Sequence, residues 1–73
     1  MMNSQELMMH SQIDPYVYQY VTSYIGKTAV VQTTQGSLRG RIQTVMPDHL
    51  VIEVSGVPFM VRLQQLVWLS PSQ

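Results

Sequence analysis

Cysteine is absent from this chain of 73 residues, and charged side chains are few. Without cysteine the chain has neither disulfides nor thiolate ligands for a metal. Four basic residues balance four acidic ones, so the formal net charge is zero. A protein that binds nucleic acid mainly through phosphates is expected to carry a basic excess. The composition therefore disfavours general affinity for nucleic acids.

The chain also lacks a long apolar run. No stretch approaches the length of a membrane span, and the opening MMNSQELMMHSQI has neither the basic region nor the apolar segment of a secretory signal. A chain of this length forms one domain at most, and without disulfides or metals its small core commonly depends on self-association. We expect a cytoplasmic homo-oligomer that does not bind a membrane.

The first part of the chain predicts a flexible tail and then one helix. Residues 1–13 are polar with scattered methionines and no sustained period. Asp14 is a good N-cap, Pro15 suits the first helical position, and Gly26 suits the C′ position, which predicts a helix over about 15–25. The half of this helix that is predicted to pack on the domain carries Tyr16, Val17, Tyr20, Val21, Tyr24 and Ile25.

Alternation with a period of two begins at Thr28 and predicts strands in the rest of the chain. Gln35-Gly36 and Ser55-Gly56 are the predicted two-residue hairpin turns, and Pro47 lies in a predicted tight turn. The predicted strands span about 28–34, 37–46, 49–54, 57–63 and 66–69, with a short turn before the last one. Residues 14–71 therefore predict one mainly β domain, a small five-stranded antiparallel barrel with an N-terminal helix.

The first predicted hairpin pairs Thr33 with Leu38, Val31 with Gly40 and Ala29 with Ile42. Arg39 and Arg41 then lie on the opposite, solvated face of the sheet. Their alternative role is a phosphate-binding strip with Arg62 and Lys27, because guanidinium groups match phosphate oxygens. Gly40 is predicted to mark a bend, a bulge or a close approach of two backbones.

The second predicted hairpin pairs Val54 with Val57, Ile52 with Phe59 and Leu50 with Val61. Every member of this face is apolar, so the register predicts that it faces the core and that Phe59 is a core residue. The opposite face is mixed and predicted to point outward.

Two segments carry a resemblance to known families. Residues 36–42 (GSLRGRI), followed by Asp48 and residues 50–52 (LVI), resemble the first signature of the Sm-like (Hfq-like) barrel, an SH3-like architecture, and residues 59–69 resemble its second signature. The stretches IGKTAVVQTTQGSLRG, PDHLVIE and PFMVRLQQLVWL resemble a YuzF-like family of small, mostly uncharacterised proteins from spore-forming bacilli. This resemblance covers residues 14–71 and implies a role in sporulation, within the developing spore.

The Sm-like resemblance also implies an alternative function. Sm-like proteins usually form rings and bind RNA through two loops, which correspond here to Asp48 and His49 in one loop and to Arg62, Gln64 and Gln65 in the other. The asparagine expected after the aspartate and the glycine expected after the arginine are missing, and the turn has an additional proline. An RNA-binding ring is therefore the second hypothesis.

The first hypothesis is a non-enzymatic assembly or scaffold module. The strand at 57–63 and the last strand are sheet edges if the barrel is incomplete, and exposed edges pair with other chains unless they are blocked. The predicted oligomer contact comprises Pro58, Met60, Arg62 and Trp68. The sequence has no nucleophile elbow, phosphate loop or set of metal ligands, so no catalytic residue, cofactor, metal or small-molecule substrate is predicted.

Overall fold

The computed structural model describes residues 15–72, so the predicted tail at 1–13 and the predicted cap Asp14 lie outside it. The chain forms one antiparallel sheet in the order β4-β3-β2-β1-β5, with a helix before it. The elements are α1 Pro15–Thr22, β1 Thr28–Thr33, β2 Gly36–Val45, β3 His49–Val54, β4 Val57–Arg62, a 3-10 helix Leu63–Gln65 and β5 Leu66–Pro71. The predicted mainly β class, with five antiparallel strands and an N-terminal helix, is confirmed.

Helix α1 ends three residues earlier than the predicted 15–25. After Thr22 the backbone N–H groups of Ser23, Tyr24 and Ile25 donate to carbonyls three residues back, at 3.2, 2.9 and 3.1 Å. These are the bonds of a tighter turn, which often ends an α-helix. Gly26 then has a φ of 87°, a left-handed conformation that favours glycine.

The packed face of α1 differs from the predicted one. Val21 is buried, and Val17, Tyr18 and Tyr24, which lie three or four positions from it, pack against the core. The predicted packing of Tyr16, Tyr20 and Ile25 is wrong, because all three are exposed. A helix of 8 residues touches the sheet mainly around one buried side chain, so Tyr16 and Tyr20 extend beyond the contact.

The core lies on the inner face of the sheet and under α1. Ile42, Leu50 and Ile52 are its largest buried side chains together with Val21 and Val31. Two backbone hydrogen bonds fix the end of the helical segment to β2, from Gly26 N–H to the Ile42 carbonyl (2.7 Å) and from Ile42 N–H to the Lys27 carbonyl (2.9 Å).

Strand β2 is the longest strand, with 10 residues, and it bends. Its first part, from Gly36 to Arg41, pairs with β1, and its last part, from Arg41 to Val45, pairs with β3. The register shifts between Ile42 and Thr44, so Ile42 and Val45 both face the core although they are three positions apart, an odd offset that would place them on opposite faces of a regular strand. Such a β-bulge bends the strand and increases its twist.

The first hairpin turns one residue earlier than predicted. Thr34 and Gln35 form the loop, and Thr33 pairs with Gly36, Val31 with Leu38 and Ala29 with Gly40. The Thr33 hydroxyl stabilises this loop, because it accepts from the Gln35 N–H (3.0 Å) and donates to the Gly36 carbonyl (2.9 Å). The predicted register of this hairpin is therefore wrong by two residues. Because side chains alternate with a period of two, each residue is still on the predicted face of the sheet.

The register of the second hairpin is confirmed: Val54 pairs with Val57, Ile52 with Phe59 and Leu50 with Val61. Ser55 and Gly56 both have positive φ, 53° and 82°, as in the two-residue turns that suit hairpins. The prediction of Phe59 as a core residue is wrong, since 41% of it is exposed. The core ends at Val61 on this strand, and within residues 15–72 strand β4 has no neighbour on its outer side.

Gly40 is at a close approach of two strands, as predicted. A Cβ atom at this position would overlap with the backbone carbonyl of Glu53 and would lie 3.1 Å from a Val54 methyl group. A side chain here therefore requires β2 and β3 to move apart.

We predict that Gly40→Ala lowers the free energy of unfolding by about 2 kcal/mol or more, as overpacking against a fixed backbone does. Ser37→Ala is the matched control, because Ser37 is exposed on the same strand and its loss should cost within about 0.5 kcal/mol. Urea denaturation followed by circular dichroism measures both. Equal stability of the two variants would contradict the close approach.

Candidate functional site

A polar pocket of about 270 Å³ lies where the loop between β2 and β3 (residues 46–48) meets β4 and the 3-10 helix. It is lined by Asp48, His49, Met60, Arg62 and Gln64. The loop is tight, with Met46 N–H donating to the His49 carbonyl (2.7 Å) and His49 N–H donating back to the Met46 carbonyl (3.3 Å). The Leu63 N–H donates to the Asp48 carbonyl (2.9 Å), which ties the loop to the 3-10 helix. Backbone bonds thus hold the two predicted loops together.

Four of the five predicted RNA-binding residues therefore line one pocket, namely Asp48, His49, Arg62 and Gln64. Gln65 does not join them. Its backbone carbonyl accepts from the Thr34 N–H (3.0 Å), and its side chain contacts the Thr34 hydroxyl, at a separate cavity of about 500 Å³. The orientation of the Gln65 side chain depends on how the 3-10 helix packs against the tip of the first hairpin. No local sequence pattern predicts that packing.

Met60 lines the pocket as well, although the sequence suggested it only for subunit contact. In the register of the second hairpin, Val51 pairs with Met60 and His49 with Arg62. Residues 60 and 62 therefore share a face with His49. The predicted register contained the signal that would have found Met60.

The polar centre of the pocket is a hydrogen-bonded pair of sequence neighbours. His49 Nδ1 lies 2.7 Å from Asp48 Oδ1. This hydrogen bond lowers the pKa of the Asp48 carboxyl below its usual value of 3.8, and the positive charge of Arg62 lowers it slightly further. The pocket therefore places the Asp48 carboxylate beside the His49 ring and the Arg62 guanidinium.

The predicted phosphate strip is not assembled. Arg41 Nη1 lies 3.7 Å from Glu53 Oε1, and Lys27 Nζ lies 5.9 Å from the centre of the Tyr24 ring. Arg39 Nε donates to Ser72 Oγ (2.8 Å). Arg62 lies on the same face of the sheet, but it is four residues along β4 from Pro58, which pairs with Glu53, so its guanidinium lines the pocket at a distance from Arg39 and Arg41. The arginine face is solvated, as predicted.

The second candidate site is the pair of sheet ends. Strands β4 and β5 occupy the two ends of the sheet, and each has one neighbour within residues 15–72. Met60 is 62% exposed on β4, and Val67 and Trp68 are 61% and 47% exposed on β5. The residues predicted for oligomer contact, Pro58, Met60, Arg62 and Trp68, are all exposed on these two strands.

Within residues 15–72 the structure contains no group of three or more histidine, cysteine, aspartate or glutamate side chains arranged to hold a metal ion. In the same residues no helix is long and apolar enough to cross a membrane.

The bent five-stranded sheet with its N-terminal helix defines an Sm-like fold. The structure is similar to the crystal structure of a heptameric archaeal Sm protein, with a TM-score of 0.61 and 19% sequence identity over 75% of this chain and 98% of that one. At this identity the likeness shows the fold alone.

The chain belongs to the family described as Domain of unknown function (DUF2642), which matches residues 8–71. It is 36% identical to the "Uncharacterized protein YuzF" of Bacillus subtilis (strain 168) over 72 residues, which cover 97% of this chain and 92% of that protein. The predicted resemblance to YuzF-like proteins with an Sm-like barrel is thus confirmed.

The Asp48–His49 pair predicts a measurable acid titration. Because its pKa is lowered in the folded state, Asp48 stabilises the fold above its usual pKa of 3.8, and this contribution is lost as the pH falls through the lowered value. We expect His49→Phe, which keeps a ring but removes the nitrogen, to raise the carboxyl pKa towards 3.8.

Carbon-13 NMR of the Asp48 carboxyl measures this titration in both proteins. Glu53→Gln is the control, since it removes a carboxylate that contacts Arg41 and not His49. An unchanged Asp48 midpoint in His49→Phe would show that the hydrogen bond has no energetic effect.

Proposed function

We propose that this protein is a non-enzymatic assembly module whose copies join through the two end strands of the sheet. The observation that carries the proposal is the open sheet itself, in which β4 and β5 do not pair with each other. Each leaves a row of backbone N–H and C=O groups on its outer side. Such edges add strands from other chains unless something blocks them.

Little on either strand opposes pairing. Natural edge strands are protected by charged side chains such as lysine, by inward-pointing charges, by proline or by bulges. Strand β4, VPFMVR, has one arginine and one proline. Strand β5, LVWLSP, has no charge, a proline only at its end and one register shift against β1, at Val67. The apolar side chains exposed on both strands would lose contact with water on pairing, which favours association.

Pairing between β4 of one copy and β5 of the next is head-to-tail. The two surfaces differ, so the contact is heterologous and produces a closed ring or an open filament. The similar archaeal Sm protein is described as heptameric, which supports self-association of this fold as part of the proposal. A role in sporulation stays a prediction from the YuzF-like resemblance, and expression confined to sporulating cells would support it.

A lysine on either edge should reduce assembly. We expect Met60→Lys on β4 and Val67→Lys on β5 each to lower the mass in solution, because a lysine on an edge strand opposes its pairing with another chain. Both residues are more than half exposed, so the fold of a single copy should persist.

Met46→Lys is the matched control, since Met46 is exposed in the loop before β3 and away from both edges. Light scattering after gel filtration measures the mass of all four proteins. A wild-type protein that remains monomeric, or edge variants with wild-type mass, would refute assembly through these strands.

Single-stranded RNA binding is the second candidate function. It is favoured by one observation, the gathering of Asp48, His49, Arg62 and Gln64 around one pocket. The zero net charge weighs against it, because phosphate contacts supply much of the affinity for nucleic acids.

If RNA binds in this pocket, short single-stranded oligonucleotides should shift in a native gel, and the shift should weaken with salt. Arg62→Ala should lower the affinity by about tenfold, the cost of a lost charge-assisted hydrogen bond. Arg39→Ala, on the arginine face, is the control and should bind like the wild type. The absence of any shift at low salt would exclude this function.

A further inference from the structure

An apolar groove of about 330 Å³ lies between α1 and β5. One side is formed by Tyr16, Val17, Tyr20 and Val21 of the helix, and the other by Leu66–Leu69 of the strand. Among the described residues, 15–72, no charged side chain lines it. Tyr16 is 81% exposed and Tyr20 54%, so the groove is open to solvent. Open apolar surface of this kind, next to a free sheet edge, indicates a contact that a single copy does not satisfy.

The inner face of β4 also ends in exposed apolar side chains. Val57, Phe59 and Val61 alternate along the strand and pair with Val54, Ile52 and Leu50, so they share the face that packs on the core. Val61 is buried, but Val57 and Phe59 lie beyond the core and are exposed. These two side chains point to the inner side of the sheet without being covered by it.

The inner face of β5 meets the groove. Leu69 pairs with buried Val31, and Leu66 pairs with Thr33, two residues further along β1. Both leucines pack against the core from the inner side, where Val17 of α1 also packs. The groove therefore lies on the inner face of β5, beside its unpaired edge.

Strand pairing keeps the faces of a sheet continuous, since side chains on one face of a strand adjoin those on the same face of its neighbour. If β4 of one copy pairs with β5 of the next, the inner face of β4 adjoins the groove. We propose that Phe59, together with Val57, of one copy fills the groove between α1 and β5 of the next copy. This inference rests on the proposed assembly. It assigns Phe59 and Val57 as the anchor residues and the groove of the next copy as the surface that receives them.

The two surfaces are chemically complementary, because the groove and the side chains of Val57 and Phe59 are both apolar. An aromatic side chain in an uncharged pocket is the usual anchor of a protein contact. Pro58, Met60 and Arg62 alternate with the anchor residues and lie on the other face of β4. The guanidinium therefore stays out of the groove and remains in the polar pocket beside Asp48, so the contact does not bury an unpaired charge.

The anchor and the groove belong to different surfaces of one copy, and this permits a complementation test. Phe59→Glu removes the anchor but leaves a working groove, whereas Tyr20→Glu places a charge in the groove but leaves a working anchor. Each variant alone should have a lower mass than the wild type. Met46→Glu and Gln19→Glu, two exposed positions outside both surfaces, are the matched controls and should assemble normally.

The two variants mixed in equal amounts should form a pair, of about twice the 8.3 kDa chain mass, and grow no further. In that pair, Phe59 of the Tyr20→Glu copy enters the intact groove of the Phe59→Glu copy, and the other two surfaces are blocked. Light scattering of the mixture, with each variant's circular dichroism showing that it is folded, measures the outcome.

Trp68 provides a second readout, because it is the only tryptophan of the chain and lines the groove. Its fluorescence should move to shorter wavelength when the groove is filled, in the mixture but in neither variant alone. The lysine variant at Met60, which lies outside the groove, separates the two proposals. If Met60→Lys loses mass while Tyr20→Glu and Phe59→Glu keep the wild-type mass, assembly stands and the groove inference is overturned. A mixture of folded variants that does not pair also overturns it.

Discussion

The bend in β2 is the constraint on which the rest of the structure depends. This strand pairs with β1 up to Arg41 and with β3 from Arg41 onward, so its direction decides how the two halves of the sheet meet. Gly40 allows the backbone of Glu53 to approach before the bend, and the bulge between Ile42 and Thr44 turns the side chains that follow. Both features let one short sheet curve around a core of aliphatic side chains.

The same curvature produces both candidate sites. It brings the inner faces of the sheet together around the core but leaves β4 and β5 at separate ends. The 3-10 helix joins these two strands directly, and its backbone bond to Asp48 closes the polar pocket. A small core that ends at Val61 leaves Phe59 exposed, and a short helix leaves Tyr16 and Tyr20 exposed. The exposed apolar surface is thus a consequence of size, since a chain of this length covers only part of its apolar groups.

Family membership and fold agree with this account but do not supply the function. The family is described by its unknown function, and the archaeal structure shares the fold at low identity. A fold carries many functions, so the argument for assembly comes from the free edges and their apolar side chains. The pocket keeps the arginine, aspartate and histidine together, yet the chain has no basic excess to attract a polyanion.

Local chemistry made several predictions accurate. Ser55-Gly56 specifies a turn with two positive φ angles, and the apolar alternation on both sides then allows one register only. The faces of the first hairpin were also predictable although its turn was not, because a shift of two residues preserves the pleat. Gly40 was recognisable as a glycine within an alternating strand.

The sequence by itself determined the number of strands, the faces of the sheet and the approximate position of every turn, because these follow from the period of the side chains and the backbone preferences of glycine and proline. Tertiary structure alone decided that α1 packs around Val21, that Phe59 lies beyond the core, and that Gln65 leaves the pocket. These features depend on how far each element reaches when the sheet bends. That distance is a property of the whole packed chain and not of any local pattern.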